Sequence, residues 1–277
     1  LEPRSGGRYL DLTLGAGGHA RALLERSAPD GFLAGLDRDE EILIEARRYL
    51  ESFNDRCLLR KGNFSEAAMI FEEFVAKADG VIMDLGLSSL QLDHPDRGFS
   101  IFRDGPLDFR MDATQPFSAR ELVNRGHPDD LYAAIRNLGE EPKARAIVKA
   151  IVEERRKRPL LHTSDLRRLV EQVYGRKGGK IHPATRTFQG LRMEVNQELE
   201  SLAKGLIAAF SLLAPGGRLA VISFHSGEDR VVKTGFNNQV AKGSARLVNR
   251  KPIMAGRDEL RRNRRSRSAR LRLIERL

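Results

Sequence analysis

The chain has 277 residues, 40% of them hydrophobic, enough for one or two packed domains. Its formal net charge of +10, from 48 Lys and Arg against 38 Asp and Glu, points to a polyanionic partner, with nucleic acid first. A single cysteine, Cys57, excludes an intrachain disulfide and a multi-cysteine zinc site, and no apolar run approaches the ~18 residues needed to span a membrane.

The composition fits a reducing cytoplasm. No charged-then-apolar leader is visible, and the chain starts at Leu1 rather than Met, so an N-terminal piece is expected to be missing.

In chain order, the first predicted element is a short strand around Tyr9 and Leu10. It runs into D-L-T-L-G-A-G-G-H (Asp11–His19) and then a helical segment holding Ala22, Leu23 and Leu24. Phe32–Asp37 reads as a second strand. Glu40–Leu50 reads as a helix capped by Asp39, with Ile42, Leu43, Ala46 and Leu50 on one face. Arg56–Leu59 is a third strand. Ser65 opens a helix with an apolar stripe at Met69, Ile70 and Phe74, and Gly80–Leu85 is a fourth strand, apolar on both faces. This alternation predicts a doubly wound parallel α/β sheet with ligands at the carboxyl ends of its strands. Asp11, Asp37, Asn63 and Asp84 all fall at or just beyond such ends.

After Asp84 the alternation stops. Ser118 with Glu121 reads as a capping box, and Pro128 opens a helix that Gly139 closes. Pro142 opens another that Pro159 stops, and Thr163 or Ser164 caps one ended by Gly175. The segment is too long for a loop and reads as a helical insertion. Phe188, Leu191, Val195, Leu199, Leu202, Leu206 and Phe210 then recur at helical spacing, which predicts one long helix on the sheet, with Thr187 able to cap it. Pro215-Gly216-Gly217 turns into a fifth strand, Leu219–Phe224, and Leu271–Ile274 reads as a closing edge strand. The expected division is 1–92 and 183–277 for the sheet domain and 93–182 for the helical, substrate-recognising insertion.

The chemistry starts at the first turn. Gly15, Gly17 and Gly18 let a ligand lie close to the backbone, and Asp37 is placed to accept ribose hydroxyls. Gly15-x-Gly17-x-x-Ala20 meets a loose dinucleotide fingerprint. A pyrophosphate, however, wants bare amides, and Asp11 adds a carboxylate on the strand side of the first glycine. S-adenosylmethionine, whose amino group and sulfonium are cationic, suits that carboxylate; a dinucleotide and a plain strand–helix turn stay open. Asp84, at the tip of strand four, faces the reactive end of such a cofactor or simply caps the next turn. Phe64 lies against adenine or in the core. Asp108, Arg110 and Asp112 form a structural charge network or bind substrate. His225, Ser226 and Asp229 lie too close together to read as a hydrolase triad, and no G-x-S-x-G elbow is present. Seven arginines between Arg257 and Arg270, with the basic link Gly175–Lys180, are candidate phosphate contacts.

Six ordered blocks resemble the bacterial MraW/RsmH family, the small-subunit ribosomal RNA cytosine-N4 methyltransferases. They are D-L-T-L-G-A-G-G-H, D-L-G-L-S-S-L-Q-L-D, R-G-F-S, D-G-P-L-D-F-R-M-D, H-P-A-T-R-T-F-Q and S-F-H-S-G-E-D-R, spanning Asp11 to Arg230. The resemblance implies a class I, Rossmann-like methyltransferase fold with an inserted helical domain. It implies S-adenosylmethionine as cofactor, no metal, and the 16S ribosomal RNA of the small subunit as partner. Cofactor contacts follow at Gly17, Gly18, His19, Asp37, Phe64, Asp84 and Gln91, to which the residue reading adds Asp11. Asp84 becomes the catalytic residue, and Arg97, Arg110, Arg186, Arg261, Arg262, Arg264 and Arg265 become candidate RNA contacts. The family's N-terminal H-x-P-V-L segment is not in the chain; Gly227 stands for a usual Leu and Phe109 for a usual Met. The rivals are a ribosome-assembly protein that binds RNA without catalysis and an NAD-dependent oxidoreductase.

Overall fold

The computed structural model describes residues 1–175 and 181–277, so the basic link at Arg176–Lys180 lies outside the described residues. The elements of the first stretch are β1 (Arg8–Asp11), α1 (Gly18–Arg26), β2 (Phe32–Asp37), α2 (Glu40–Tyr49), β3 (Cys57–Lys61), α3 (Ala67–Ile70) and β4 (Ala78–Asp84). Then come α4 (Ser89–Asp93), α5 (Ala119–Arg125), α6 (Pro128–Ala133), α7 (Ala144–Arg155), α8 (Thr163–Tyr174) and α9 (Thr185–Asn196). The last stretch is α10 (Glu198–Leu212), β5 (Leu213–Ser223), α11 (Ser226–Ala241), β6 (Ala245–Leu247), β7 (Ile253–Met254), α12 (Arg257–Arg262) and β8 (Arg270–Arg276). They form two compact units, Leu1–Gly86 with Leu199–Leu277, and Leu87–Glu198.

The first unit is one sheet in the order β3-β2-β1-β4-β5-β8-β6, with β7 beside β8. Strands β1 to β5 are parallel and β8 is antiparallel. Side chains alternate across a strand, so each strand feeds two cores. Leu10, Val81, Met83, Leu219 and Val221 enter one buried cluster, whereas Tyr9, Ile82 and Ala220 enter the other. The order reverses between β1 and β4, which opens a crevice at their carboxyl ends, the usual ligand position in such sheets.

Three expectations are corrected here. The long helix is two helices: Gln197 adopts φ 50°, ending α9 before α10 begins. Phe188, Leu191 and Val195 therefore join the core of the helical unit, and only Leu202, Leu206 and Phe210 pack on the sheet. A left-handed glutamine leaves no mark in an apolar spacing that stays in phase across the break. Thr187 does not cap; it lies within α9 with a buried hydroxyl. Finally, β8 is no edge, since it pairs with β5 on one side and β6 and β7 on the other. The strand holding Leu219 starts early, at Leu213, and Pro215-Gly216-Gly217 is absorbed as a register shift opposite Ala78 and Gly80.

The second unit is helical around Leu107, Phe109, Leu122, Leu131, Ile147, Leu166 and Phe188. Its caps follow sequence closely: Ser118 and Glu121 form a capping box, and Pro128 opens α6. On α8 the cap is His162 rather than Thr163 or Ser164, because Asp165 reaches back to the His162 amide. Gly190 lets α9 approach the π-turn at Ala134–Leu138, where a Cβ would collide with the Ala134 carbonyl. Phe109 holds φ 63°, pinned by its ring against Phe188 at 5.2 Å and by the Asn196 amide, which donates to its carbonyl at 2.7 Å.

Candidate cofactor and catalytic site

The site grows from the turn after β1. Gly17 caps α1 at φ 87°, a conformation that costs glycine nothing. At Gly18 an added Cβ would meet nothing within 4 Å, so the helix start is an open cradle. The α1 amides carry partial positive charge there, and no carboxylate occupies the first helical turn.

Three carboxylates surround this turn. Asp11, at the end of β1, is fully buried. Its Oδ1 accepts the Thr13 amide at 3.2 Å, while its Oδ2 is buried without a hydrogen-bond partner. Burial pushes its carboxyl up to about 7, helped by the nearby Asp84 and Asp37 charges and opposed by His19 and the Thr13 amide. Asp37, at the end of β2, accepts Gly15 N–H at 2.9 Å and Asp39 N–H at 3.0 Å. Burial raises it to about 6 despite those bonds. Asp84, at the end of β4, has Oδ1 buried without a partner and Oδ2 3.4 Å from His19 Nε2. That contact raises the His19 pKa.

Thr13 stands with Asp11 on the strand side of the first glycine, and its hydroxyl accepts the Asp84 amide at 2.6 Å. It fixes the end of β4 to the glycine turn, a role readable only from the β1–β4 adjacency. Asn63, beyond β3, bonds Ser65 N–H through its side chain and so starts the turn carrying Phe64. The Phe64 ring fills the space where a Gly205 Cβ would stand and packs against the sheet core.

The remaining candidates divide between the two units. Gln91 belongs to the helical unit, where it is buried and shares a capping box with Ser88. Arg97 donates to the Arg110 and Met111 carbonyls, and Arg110 forks onto Asp108 and reaches the Gln115 carbonyl. This is the structural network reading of D-G-P-L-D-F-R-M-D. Arg186 lies on α9, and Arg261, Arg262, Arg264 and Arg265 are exposed on and after α12. Asp229 is held by Arg272 at 2.7 Å and by Arg270 at 3.3 Å, and His225 caps α11 with Glu228, so no triad forms. At Gly227 a Cβ would lie 3.2 Å from His225 Nδ1, so a larger side chain there would press on that imidazole.

A buried unpartnered carboxylate is costly unless a cation or donor completes it. Asp11 Oδ2 and Asp84 Oδ1 therefore fit a cationic ligand lying over an open glycine turn, and a bound pyrophosphate would meet three acids. With the order of the parallel strands, these features define a class I, Rossmann-like methyltransferase domain. The MraW methylase family model matches residues 1–277, and the chain belongs to that family. It is 47% identical to the ribosomal RNA small subunit methyltransferase H of Syntrophotalea carbinolica, covering 100% of this chain and 94% of the relative. It is 45% identical to the enzyme of the same name from Thermomicrobium roseum, covering 100% and 90%. Among solved structures it is similar to TrmN from Thermus thermophilus, at 12% identity and TM-score 0.47, over 99% of this chain and 45% of that one. Family membership sets the NAD-dependent reading aside. Among the described residues no helix is long and apolar enough to cross a membrane.

Proposed function

We propose that this chain methylates N4 of a cytosine in the decoding region of 16S ribosomal RNA, working in the cytoplasm with S-adenosylmethionine as donor. The observation that carries the reading is the pair of buried, unpartnered carboxylate oxygens, on Asp11 and Asp84, where the strand order reverses. When bound, the cofactor supplies a methyl group made electrophilic by its sulfonium. Asp37 accepts the ribose hydroxyls, Asp11 faces the cationic amino group, and the open turn at Gly17 and Gly18 admits the ligand. His19 and Phe64 complete the expected contacts of the sheet unit.

Asp84 acts on the substrate amine. The lone pair of a base's exocyclic nitrogen is delocalised into the ring, which makes it a poor nucleophile. A carboxylate accepting its N–H bonds draws the nitrogen toward tetrahedral geometry and aims the lone pair at the methyl. As the N–C bond forms, the displaced proton has an acceptor in Asp84 Oδ1. Alignment of two held reactants supplies up to about 7–11 kcal/mol of barrier reduction. The target base must leave its stack, at a cost of a few kcal/mol. Methylation of a ring carbon would instead need a nucleophile to add to the ring first. Cys57 is poorly suited to such an addition, because it lies in β3 with its thiol pushed up to about 11 by burial.

Methyl transfer from labelled cofactor to small subunits, followed by digestion to nucleosides, tests the reading. The expected product is N4-methylcytidine, and label on C5 or on a ribose oxygen would refute it. Asp84→Ala, assayed in single turnover at saturating cofactor, should slow transfer by about 100-fold or more with RNA affinity little changed. A variant within a few-fold of the parent removes Asp84 from the chemistry.

A further inference from the structure

Two motifs take no part in the methyl-transfer reading: R-G-F-S at Arg97–Ser100 and the start of H-P-A-T-R-T-F-Q at His182. Both lie in the helical unit, and they meet at one side chain, Phe102. Its exposure, 76%, is the highest given for a large hydrophobic residue among the described ones. The residue is nonetheless held. Ser100 Oγ accepts the amides of Phe102 at 3.1 Å and Arg103 at 3.0 Å, which fixes the turn that presents the ring. The ring stands edge to face with the His182 imidazole, centroids 5.5 Å apart at 79°.

His182 is itself locked. Its Nδ1 accepts the Ala184 amide at 3.2 Å, so the proton sits on Nε2 and is donated to Glu171 at 3.1 Å. Glu171 lies 3.7 Å from Arg167 Nε, and Arg167 in turn donates to the Ile101 carbonyl at 3.2 Å. The neighbouring acid, Asp104, is taken up by the start of α8, accepting Ser164 N–H at 2.9 Å. Arg103 donates to the Asp93 carbonyl at 2.6 Å, an uncharged partner that leaves its charge for a phosphate.

An aromatic ring fixed in water beside an un-neutralised arginine is the arrangement that takes a nucleobase face and its backbone. We propose that Phe102, backed by His182, is a stacking platform for one base of single-stranded RNA, with Arg103 on the adjoining phosphate. The proposal rests on the ribosomal RNA reading above and adds a second point of contact, on the helical unit.

The chain has no tryptophan, so Phe102→Trp installs a single reporter at the platform. A mixed-sequence single-stranded oligoribonucleotide should quench its emission on binding. Phe102→Ala should weaken that RNA by roughly 5- to 150-fold, the range for one stacked base, without changing the salt slope, which phosphate contacts set. Phe102→Tyr should restore affinity. Met69→Ala, a 70% exposed residue of the sheet unit, should do nothing. An abasic oligomer should bind parent and Phe102→Ala alike. The proposal is overturned if Phe102→Ala binds within twofold of the parent, or if its loss persists on the abasic oligomer. It is also overturned if the reporter is quenched by a protein of the small subunit and not by RNA. A parent that binds no RNA sinks the ribosomal RNA reading as well, which separates the two failures.

Discussion

Asp11→Asn removes a charge from the centre of the sheet unit without removing its shape. Asn keeps an Oδ1 for the Thr13 amide and puts an amide nitrogen where Oδ2 stands unpartnered. The Asp11 carboxyl moves from an ordinary 3.8 to about 7 on folding because burial disfavours its charged form. A raised carboxyl favours the folded state fully below the unfolded pKa, and that contribution is lost as pH climbs through the folded value. Above pH 7 the parent must either hold the buried charge or unfold, whereas Asn escapes that choice. At ~1.4 kcal/mol per pH unit the window corresponds to roughly 4 kcal/mol, and water drawn in on ionisation brings the expected gain nearer to about 2 kcal/mol. Urea unfolding of the ligand-free chain, followed by circular dichroism, should therefore show Asn and parent alike near pH 4 and the variant more stable at pH 8. The same change should weaken S-adenosylmethionine, whose cation loses its partner. A variant no more stable than the parent at pH 8 would mean that Asp11 is not a strained charge, and the argument for a cationic ligand would go with it.

Asp37→Ala should weaken S-adenosylmethionine by about 1.5–3 kcal/mol, the worth of a charge-assisted acceptor, and calorimetry giving an unchanged affinity would place the ribose elsewhere. Because the Asp11 and Asp37 carboxyls sit near 7 and 6, cofactor affinity should rise between about pH 5.5 and 8 with release of protons; calorimetry in buffers of different ionisation enthalpy reads this directly. Neutralising Arg261, Arg262, Arg264 and Arg265 together should flatten the salt dependence of RNA binding by roughly 0.7 in log–log slope per lost phosphate contact. An unaltered slope would make the tail a structural element.

What could be read in the sequence and what could not divide along physical lines. The four strand ends holding Asp11, Asp37, Asn63 and Asp84 were legible because parallel buried strands are short apolar runs with polar tips, and the turn after β1 announces itself in glycine. The capping box of Ser118 and Glu121 was legible for the same local reason, whereas those closed by His162 and His225 were not, since histidine is an uncommon cap. The joint at Gln197 was not, because the left-handed residue is not glycine and the apolar phase continues through it. The helical unit accordingly runs Leu87–Glu198 rather than 93–182, since α9 buries Phe188, Leu191 and Val195 in that unit's own core. Thr13 was invisible as a tether because its partner, the Asp84 amide, lies seventy-one residues away. Arg97 and Arg110 read as cationic RNA contacts in one dimension; in three, Arg97 donates to the Arg110 and Met111 carbonyls, whereas Arg110 forks onto Asp108, a charged partner that the spacing alone did not assign to it.

That last contrast decides which cations are available to a polyanion. The chain is strongly basic overall, yet several of its arginines sit against acids in well-formed pairs. Arg272 and Arg270 hold Asp229, docking β8 to α11, and Arg218 and Arg246 share Glu275 across β5, β8 and β6. These pairs hold the carboxyls of Asp229 and Glu275 below their ordinary range, which marks them as ties of the fold. Their charge is neutralised where it stands, so their loss should cost stability rather than RNA affinity. Around α12 the balance differs: Arg261 has Asp258 at 3.7 Å with both side chains at least 80% exposed, a pairing that water and salt screen to little. Charge in this protein is thus sorted by partner. Carboxylate oxygens without a hydrogen-bond partner, Asp11 Oδ2 and Asp84 Oδ1, gather at the sheet's reversal point, where a cationic cofactor fits, and exposed arginines gather in the tail. A substitution that moves one acid into the tail, Ser268→Glu for example, should therefore lower RNA affinity and leave cofactor affinity untouched. Equal effects on both ligands would show that the two charge fields are not separate.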